Sequence, residues 1–242
     1  MNHIIFLIVI LLANIVQGIT GFAGTILAMP FALMLVGYEV GKPILNVLGL
    51  LSGIYVFAGN YKAVNWKELK KIVIIMCVGM ISGIVVKSFF VGNDDILYKG
   101  LGVFVIGIAL HGLLQKKKTE DSAITKPSKK WNILLVLAGV VHGIFVSGGP
   151  LLIGYLSKII KDKVQFRATI STVWIFLNTL VLIDDIRMGL WNVELIKWQL
   201  IAIPFLFVGM KIGTILYDKM SQQLFMKITY ILLFISGISL LV

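Results

Sequence analysis

Two stretches of this sequence place glycine and polar residues inside otherwise apolar surroundings: "VQGITGFAGTILAMP", residues 16–30, and "VHGIFVSGGPLL", residues 141–152. The first sets Gly18, Gly21 and Gly24 among Gln17, Thr20 and Thr25. The second sets Gly143, Gly148 and Gly149 beside His142 and Ser147, followed by Pro150. Proline suits the first turn of a helix, where its missing N–H would lack a partner anyway. Each stretch therefore reads as a break at which a new helix begins. Free backbone N–H groups at a helix start carry partial positive charge and favour anions. Unpaired backbone at membrane depth is tolerable only against protein or a wet cavity. The chemistry on offer is recognition of a small anion by glycine backbone, with Gln17, Thr20, Thr25 and Ser147 as side-chain donors. The competing reading is close helix packing through small residues, and that is the expectation for Gly79/Gly83 and Gly209/Gly213. Serine and threonine also bond back to their own helix.

Asn46, Ser171 and Thr172 lie on the helices that follow the breaks and are expected to complete a polar shell. His142 is an ionisable group within an apolar segment, which makes it a functional candidate. Histidine titrates near neutral pH, so His142 is a candidate for a coupling proton or for pairing with the anion; a neutral packing histidine is the alternative. Lys42 and Arg167 flank matched helix starts and are expected to be snorkelling anchors, with steering of anions toward either mouth as the alternative. Asp94/Asp95 and Asp184/Asp185 read as solvated turns. Three scattered histidines, one of them the terminal His3 and another the interfacial His111, and the lone Cys77 offer no metal-ligand spacing. Cys77 reads as a buried structural thiol. No acid lies near His142 and Ser147 to orient the histidine, so a hydrolytic triad is not supported. No nucleotide-binding loop is present. No cofactor, no metal and no enzymatic activity are expected.

The elements that must position these groups are membrane helices. The chain of 242 residues is 59% hydrophobic and 14% charged, with a mean hydropathy of +0.99. A soluble domain of this length needs far more polar surface. The apolar start lacks a basic leader and a small-residue cleavage site, so it reads as a retained segment. Hydropathy marks segments at about 4–16, 22–36, 43–59, 72–90 and 96–114, then 131–146, 150–160, 168–183, 198–216 and 224–241. The first two segments of each half are short: fifteen residues reach only ~22 Å, against a hydrocarbon core of about 30 Å. Each such pair is either a hairpin that turns inside the membrane or two short spans.

If each short pair makes no net crossing, the basic residues sort to one side. That side takes Lys62, Lys67, Lys70 and Lys71, the cluster from Lys116 to Lys130, then Lys158, Lys161, Lys163, Arg167, Lys211, Lys219 and Lys227. The other keeps Lys42, Lys87, Lys99, Arg187 and Lys197. The positive-inside rule makes the first side cytoplasmic and both termini extracytoplasmic. The net charge of +11 is thus a matter of membrane topology, and nucleic acid is not an expected partner. Residues 115–130, "QKKKTEDSAITKPSKK", form a polar connector expected in the cytoplasm. It divides an N-terminal transmembrane repeat, residues 1–114, from a C-terminal one, residues 131–242.

The halves align on each other at an offset of 125 residues. Gln17 meets His142, Gly18 meets Gly143, Gly24 meets Gly149, Lys42 meets Arg167, Asn46 meets Ser171, and Trp66 meets Trp191. Further on, "VGMISGIVV" from residue 78 resembles "VGMKIGTIL" from residue 208. Five segments per half is an odd number, so the second copy enters the membrane from the opposite face. The predicted fold is an all-α polytopic membrane protein of two inverted-topology repeats, the first two segments of each short and broken or re-entrant. Such repeats place a site near the midplane at the repeat interface.

"GITGFAGTILAMP" and "GVVHGIFVSGGPLL", one per half of a short chain, resemble the TauE/SafE family of sulfite and organosulfonate exporters. The resemblance covers essentially the whole chain. It implies a multi-pass permease of a bacterial or archaeal inner membrane, moving small sulfur-containing or carboxylated anions. Carried over by position, its motif residues are Gly18, Gly21, Gly24 and Pro30, then Gly143, Gly148 and Gly149. The chain departs from the family pattern at Pro150, at Tyr155 opposite Pro30, and at His142. The expected activity is secondary transport by alternating access, most simply export, since an inside-negative potential favours anion exit. The alternatives are an anion channel and a membrane protein without transport activity. The expected partners are a small anionic substrate, the lipid bilayer, a coupling proton and a second copy of the chain in a homodimer.

Overall fold

The computed structural model describes residues 2–89, 131–145, 148–239 and 241, together with 103, 106, 107, 109, 110, 113 and 114. Nearly all of these are helical, and none of the described residues is in a strand. The helices are α1 (Asn2–Thr20), α2 (Ala23–Val36), α3 (Tyr38–Asn60), α4 (Trp66–Phe89), α5 (Asn132–Phe145), α6 (Gly149–Ile159), α7 (Lys163–Arg187), α8 (Val193–Asp218) and α9 (Gln222–Ser239). A 3-10 turn, Tyr61–Ala63, follows α3. The polar connector at 115–130, most of the segment at 96–114 and the Asp94/Asp95 pair lie outside the described residues, as does His111.

Four of the described helical stretches are long and apolar enough to cross a membrane: His3–Thr20, Tyr38–Ala63, Lys163–Arg187 and Val193–Asp218. They leave apolar side chains uncovered, as lipid contact requires. Ile4 is 67% exposed and Leu12 57% on α1, and Leu200 is 62% exposed on α8. The expectation of short leading segments holds for α2, α5 and α6, of 14, 14 and 11 residues. It does not hold for α1, whose 19 residues reach about 28 Å. The apolar run ends at Gln17, but the helix continues through Thr20 and stops where Gly21 adopts φ +81°.

Local chemistry sets the other boundaries. Asn192 caps α8, its Oδ1 accepting from the Leu195 amide at 2.8 Å. Asn65 caps α4 in the same way, accepting from the Glu68 amide at 3.1 Å. Ser221 caps α9 through the Leu224 amide at 3.2 Å. Each side chain satisfies one of the amides that a helix start leaves without an internal partner. Gly37, with φ +79°, separates α2 from α3, and its own N–H closes α2 by donating to the Ala32 carbonyl at 3.1 Å.

The chain forms two compact units. One comprises residues 1–73 and 164–220; the other comprises residues 74–163 and 221–242. Each draws helices from both halves of the sequence, so the units and the sequence halves are different divisions of the molecule.

In the first unit α2 folds back along α1. Gly24 of α2 sits on Ala13 and Gln17 of α1, and α3 continues the layer, with Gly41 against Ala32. Helix α8 runs parallel to α1: Gly209 meets Leu11 and Asn14, and Gly213 meets Ile15 and Gly18. In the second unit α4 runs parallel to α5 in the same manner. Gly79 meets Val136 and Gly139, Gly83 meets Val140, and Gly143 meets Met80. These contacts are the same set, carried to positions 125 residues apart on α1 and α5 and 130 apart on α4 and α8. Lipid tails are as apolar as leucine, so burying apolar surface gains little here. Close backbone approach at small residues is what holds such helices together.

Candidate functional site

The first break is a knot of buried polar groups in the first unit. Gly21 makes the turn that sends α2 back along α1. A side chain there would be strained by the positive φ and would meet Ser171 Oγ at 2.6 Å. Its amide donates to the Gln17 carbonyl at 2.7 Å. Its carbonyl accepts from Trp174 Nε1 at 3.0 Å and from Ser171 Oγ at 3.4 Å. The amides that begin α2 are not free. Phe22 and Ala23 donate to Thr20 Oγ1 at 3.3 and 3.2 Å, and Gly24 donates to Gln17 Oε1 at 2.8 Å. The bare amide cradle expected from the sequence is therefore already filled by side-chain oxygens. Thr20 in turn donates to the Val16 carbonyl at 2.9 Å.

Gln17 reaches further. Its Nε2 donates to Ser52 Oγ at 3.0 Å, and Ser52 donates to the Gly49 carbonyl at 2.8 Å. One side chain thus ties the start of α2 to the middle of α3. Beside it lies a cavity of about 10 Å³ lined by Asn14, Gln17, Gly24, Thr25 and Gly49 among others. That is close to the room one water needs, and too little for an oxyanion. Asn46 is fully buried and donates to the Asn178 carbonyl at 3.0 Å. The side-chain oxygens of Asn46 and Asn178 have no hydrogen-bond partner among the described residues.

Of the expected site residues, the first unit thus assembles Gln17, Thr20, Gly21, Gly24, Thr25, Asn46 and Ser171 in neighbouring positions. Gly18 belongs to the α1–α8 contact, with Met210 and Gly213 against it. Thr172 bonds back to the Ala168 carbonyl at 2.7 Å. His142, Gly143, Gly148 and Gly149 belong to the second unit. There His142 is buried and Gly148 packs on it and on Ala138, while Gly143 packs on Met80. Ser147 lies outside the described residues.

Two cations expected at the lipid surface are buried instead. Lys42 is 7% exposed and forms an ion pair with Asp185, which is 0% exposed. Asp185 was expected in a solvated turn; it belongs to the last turns of α7. Arg167 is 2% exposed. Its Nη2 donates to Thr214 Oγ1 at 2.7 Å, and its guanidinium lies 4.3 Å from the centre of the Tyr217 ring. Its stem passes the break, with Cγ 3.3 Å from the place a Gly21 side chain would take. Sequence reasoning missed Ser52, Trp174 and Asn178 as well. Trp174 carried one signal, since it sits in the middle of an apolar segment rather than in an interfacial belt.

A larger cavity of about 270 Å³ lies in the same unit between His3, Glu39, Glu194 and Trp198. His3 stacks on Trp198, with ring centres 4.2 Å apart. Its two carboxylates make it unsuited to an anion. No group of three or more metal-ligating side chains occurs among the described residues.

A family model described as "Sulfite exporter TauE/SafE" matches residues 6–240. The "Probable inner membrane transporter protein TsaS" of Comamonas testosteroni is 23% identical over 187 residues, which is 75% of this chain and 74% of that protein. No solved structure matches the chain.

Proposed function

Because this chain belongs to the sulfite exporter TauE/SafE family, a family of membrane transporters rather than enzymes, we propose that it exports a small oxyanion across an inner membrane. The substrate class is sulfite, an organosulfonate or a related sulfur or carboxylate anion. The relative from Comamonas testosteroni, a probable inner membrane transporter, supports the membrane and the transport. The polar knot at Gly21 supports the site. Its α2 amides are held by Thr20 and Gln17 side chains, not by helix carbonyls. Such partners can swing away and yield their places to the oxygens of an anion. Helix-start amides then carry part of the substrate's charge.

The second glycine-rich break enters the proposal through the sequence repeat, as the counterpart of the first. Transport is by alternating access. The cavity at the first break holds about one water, so loading requires the helices around Gln17 to part. His142 is the candidate for a coupling proton. The observation that carries the reading is a buried helix start capped by side chains, in a chain of this family.

The test is counterflow in proteoliposomes. Preloaded unlabelled sulfite should drive transient uptake of labelled sulfite. A channel gives flux without counterflow, and no flux of sulfite, methanesulfonate or acetate would discard the reading altogether.

A further inference from the structure

We propose that Arg167 holds the negative charge of the transported anion, and that the buried Lys42–Asp185 pair is its already neutralised counterpart; this rests on the transporter reading above. Helices α3 and α7 pack antiparallel within one unit. Lys42 meets Asp185, Asn46 meets Asn178, and Gly53 meets Ser171. Lys42 and Arg167 occupy the same place in the two sequence repeats, 125 residues apart. Each is the fifth residue of its helix. At the Lys42 end, Asp185 neutralises the cation. The same offset carries Asp185 to Asn60, which has no charge. The second cation is therefore left without the carboxylate that its counterpart has.

The contacts of Arg167 agree with this. No carboxylate lies within 4.0 Å of its guanidinium among the described residues. Asp218, exposed at the end of α8, is outside that distance. The guanidinium's neighbours are a hydroxyl, Thr214, and an aromatic face, Tyr217, and Arg167 Nε has no acceptor among the described residues. A buried cation with no carboxylate in contact is costly; Asp218 acts on it only from a distance, and a substrate can bring the contact charge. The guanidinium fork suits two oxygens of one carboxylate, sulfonate or sulfite group. The stem of Arg167 passes Gly21, where Ser171 Oγ also lies, which puts the cation on the face of α7 that meets the first break.

The experiment measures anion binding to the purified full-length chain by calorimetry, with sulfite, methanesulfonate and acetate as probes, beside each variant's melting temperature. Arg167→Gln should weaken binding tenfold or more, with Arg167→Lys between it and the wild type. Thr214→Asp places a carboxylate within reach of Nη2. It should keep or raise the melting temperature and still weaken anion binding tenfold or more, since an internal anion then occupies the cation. A folded Arg167→Gln or Thr214→Asp protein that binds the probes as the wild type does overturns the inference and leaves the transporter reading standing. If Arg167→Gln does not fold, Thr214→Asp decides. A wild-type chain that binds none of the probes overturns both.

Discussion

Gln17 holds the first break together with the two ends of one amide. Its oxygen caps Gly24 and its nitrogen donates to Ser52. Replacing it with glutamate keeps an oxygen for the Gly24 amide and lets Ser52 become the donor. Ser52 must then release the Gly49 carbonyl to donate, and any negative charge the carboxylate carries stands where the substrate's would. Gln17→Glu is expected to lower anion uptake at least tenfold and, because the new carboxylate is buried without a cation, to lower the melting temperature as well; a folded variant with normal uptake would remove Gln17 from the site. Gly21 tests the turn itself. Left-handed backbone costs a residue with a side chain about 1–2 kcal/mol, and the new Cβ also meets Ser171 Oγ at 2.6 Å. Gly21→Ala should therefore lose about 2 kcal/mol or more in reversible denaturation. The break at these residues was legible, because a glutamine and a cluster of glycines are hard to explain in a plain apolar helix. Gly18 lies against Gly213, and Thr172 bonds to its own helix, the alternative that serine and threonine always carry. The burial of Arg167 was not legible. A cation near the start of an apolar run has the pattern of a surface anchor, and only its neighbours from α8, Thr214 and Tyr217, make it buried.

At the scale of helices, one parallel contact in each unit holds two helices together by backbone proximity. Gly213 of α8 touches the Ile15 carbonyl, and Gly83 of α4 touches the Val140 carbonyl. A valine at either place has no flexible neighbour to displace, so the helices must separate. Gly213→Val and Gly83→Val should each destabilise by about 1–3 kcal/mol, the usual cost of overpacking, and to a similar degree because the contacts match. Gly59 of α3 has no atom within 4 Å of the place a Cβ would take. There Gly59→Ala should be neutral or stabilise by up to about 1 kcal/mol through helix propensity. Thermal unfolding in one detergent compares all three. A harmless Gly213→Val would mean that the α1–α8 contact is not what binds this layer. Helix positions were largely legible, since hydropathy depends on runs of like residues: α2 was expected at 22–36 and found at Ala23–Val36. The end of α1 was misjudged because Gln17 ends the apolar run three residues before the helix itself stops. Which helices pack together was legible only in part. Small-residue spacing marks a contact face without naming the partner.

For the whole molecule, the sequence divides at the basic connector, while the compact units each combine helices from both halves. That regrouping is a tertiary property, and no local pattern encodes it. What the whole chain must do is move net charge, and this yields the last prediction. If the anion crosses alone, an inside-negative potential drives it out at ~2.3 kcal/mol per charge per 100 mV. At ~1.4 kcal/mol per tenfold, this sustains about a fiftyfold gradient of a monovalent anion. Methanesulfonate is the suitable probe, because its single charge does not change with pH. In vesicles held inside-negative by a potassium gradient and valinomycin, its efflux should accelerate and stop when the potential is collapsed. Export with one proton is electroneutral, and the expected outcome is then reversed. Efflux would ignore the potential and follow the pH gradient, and His142→Ala should abolish that response. A voltage response that persists in His142→Ala assigns the driving force to the anion's own charge. It leaves His142 as the buried residue against which Gly148 packs.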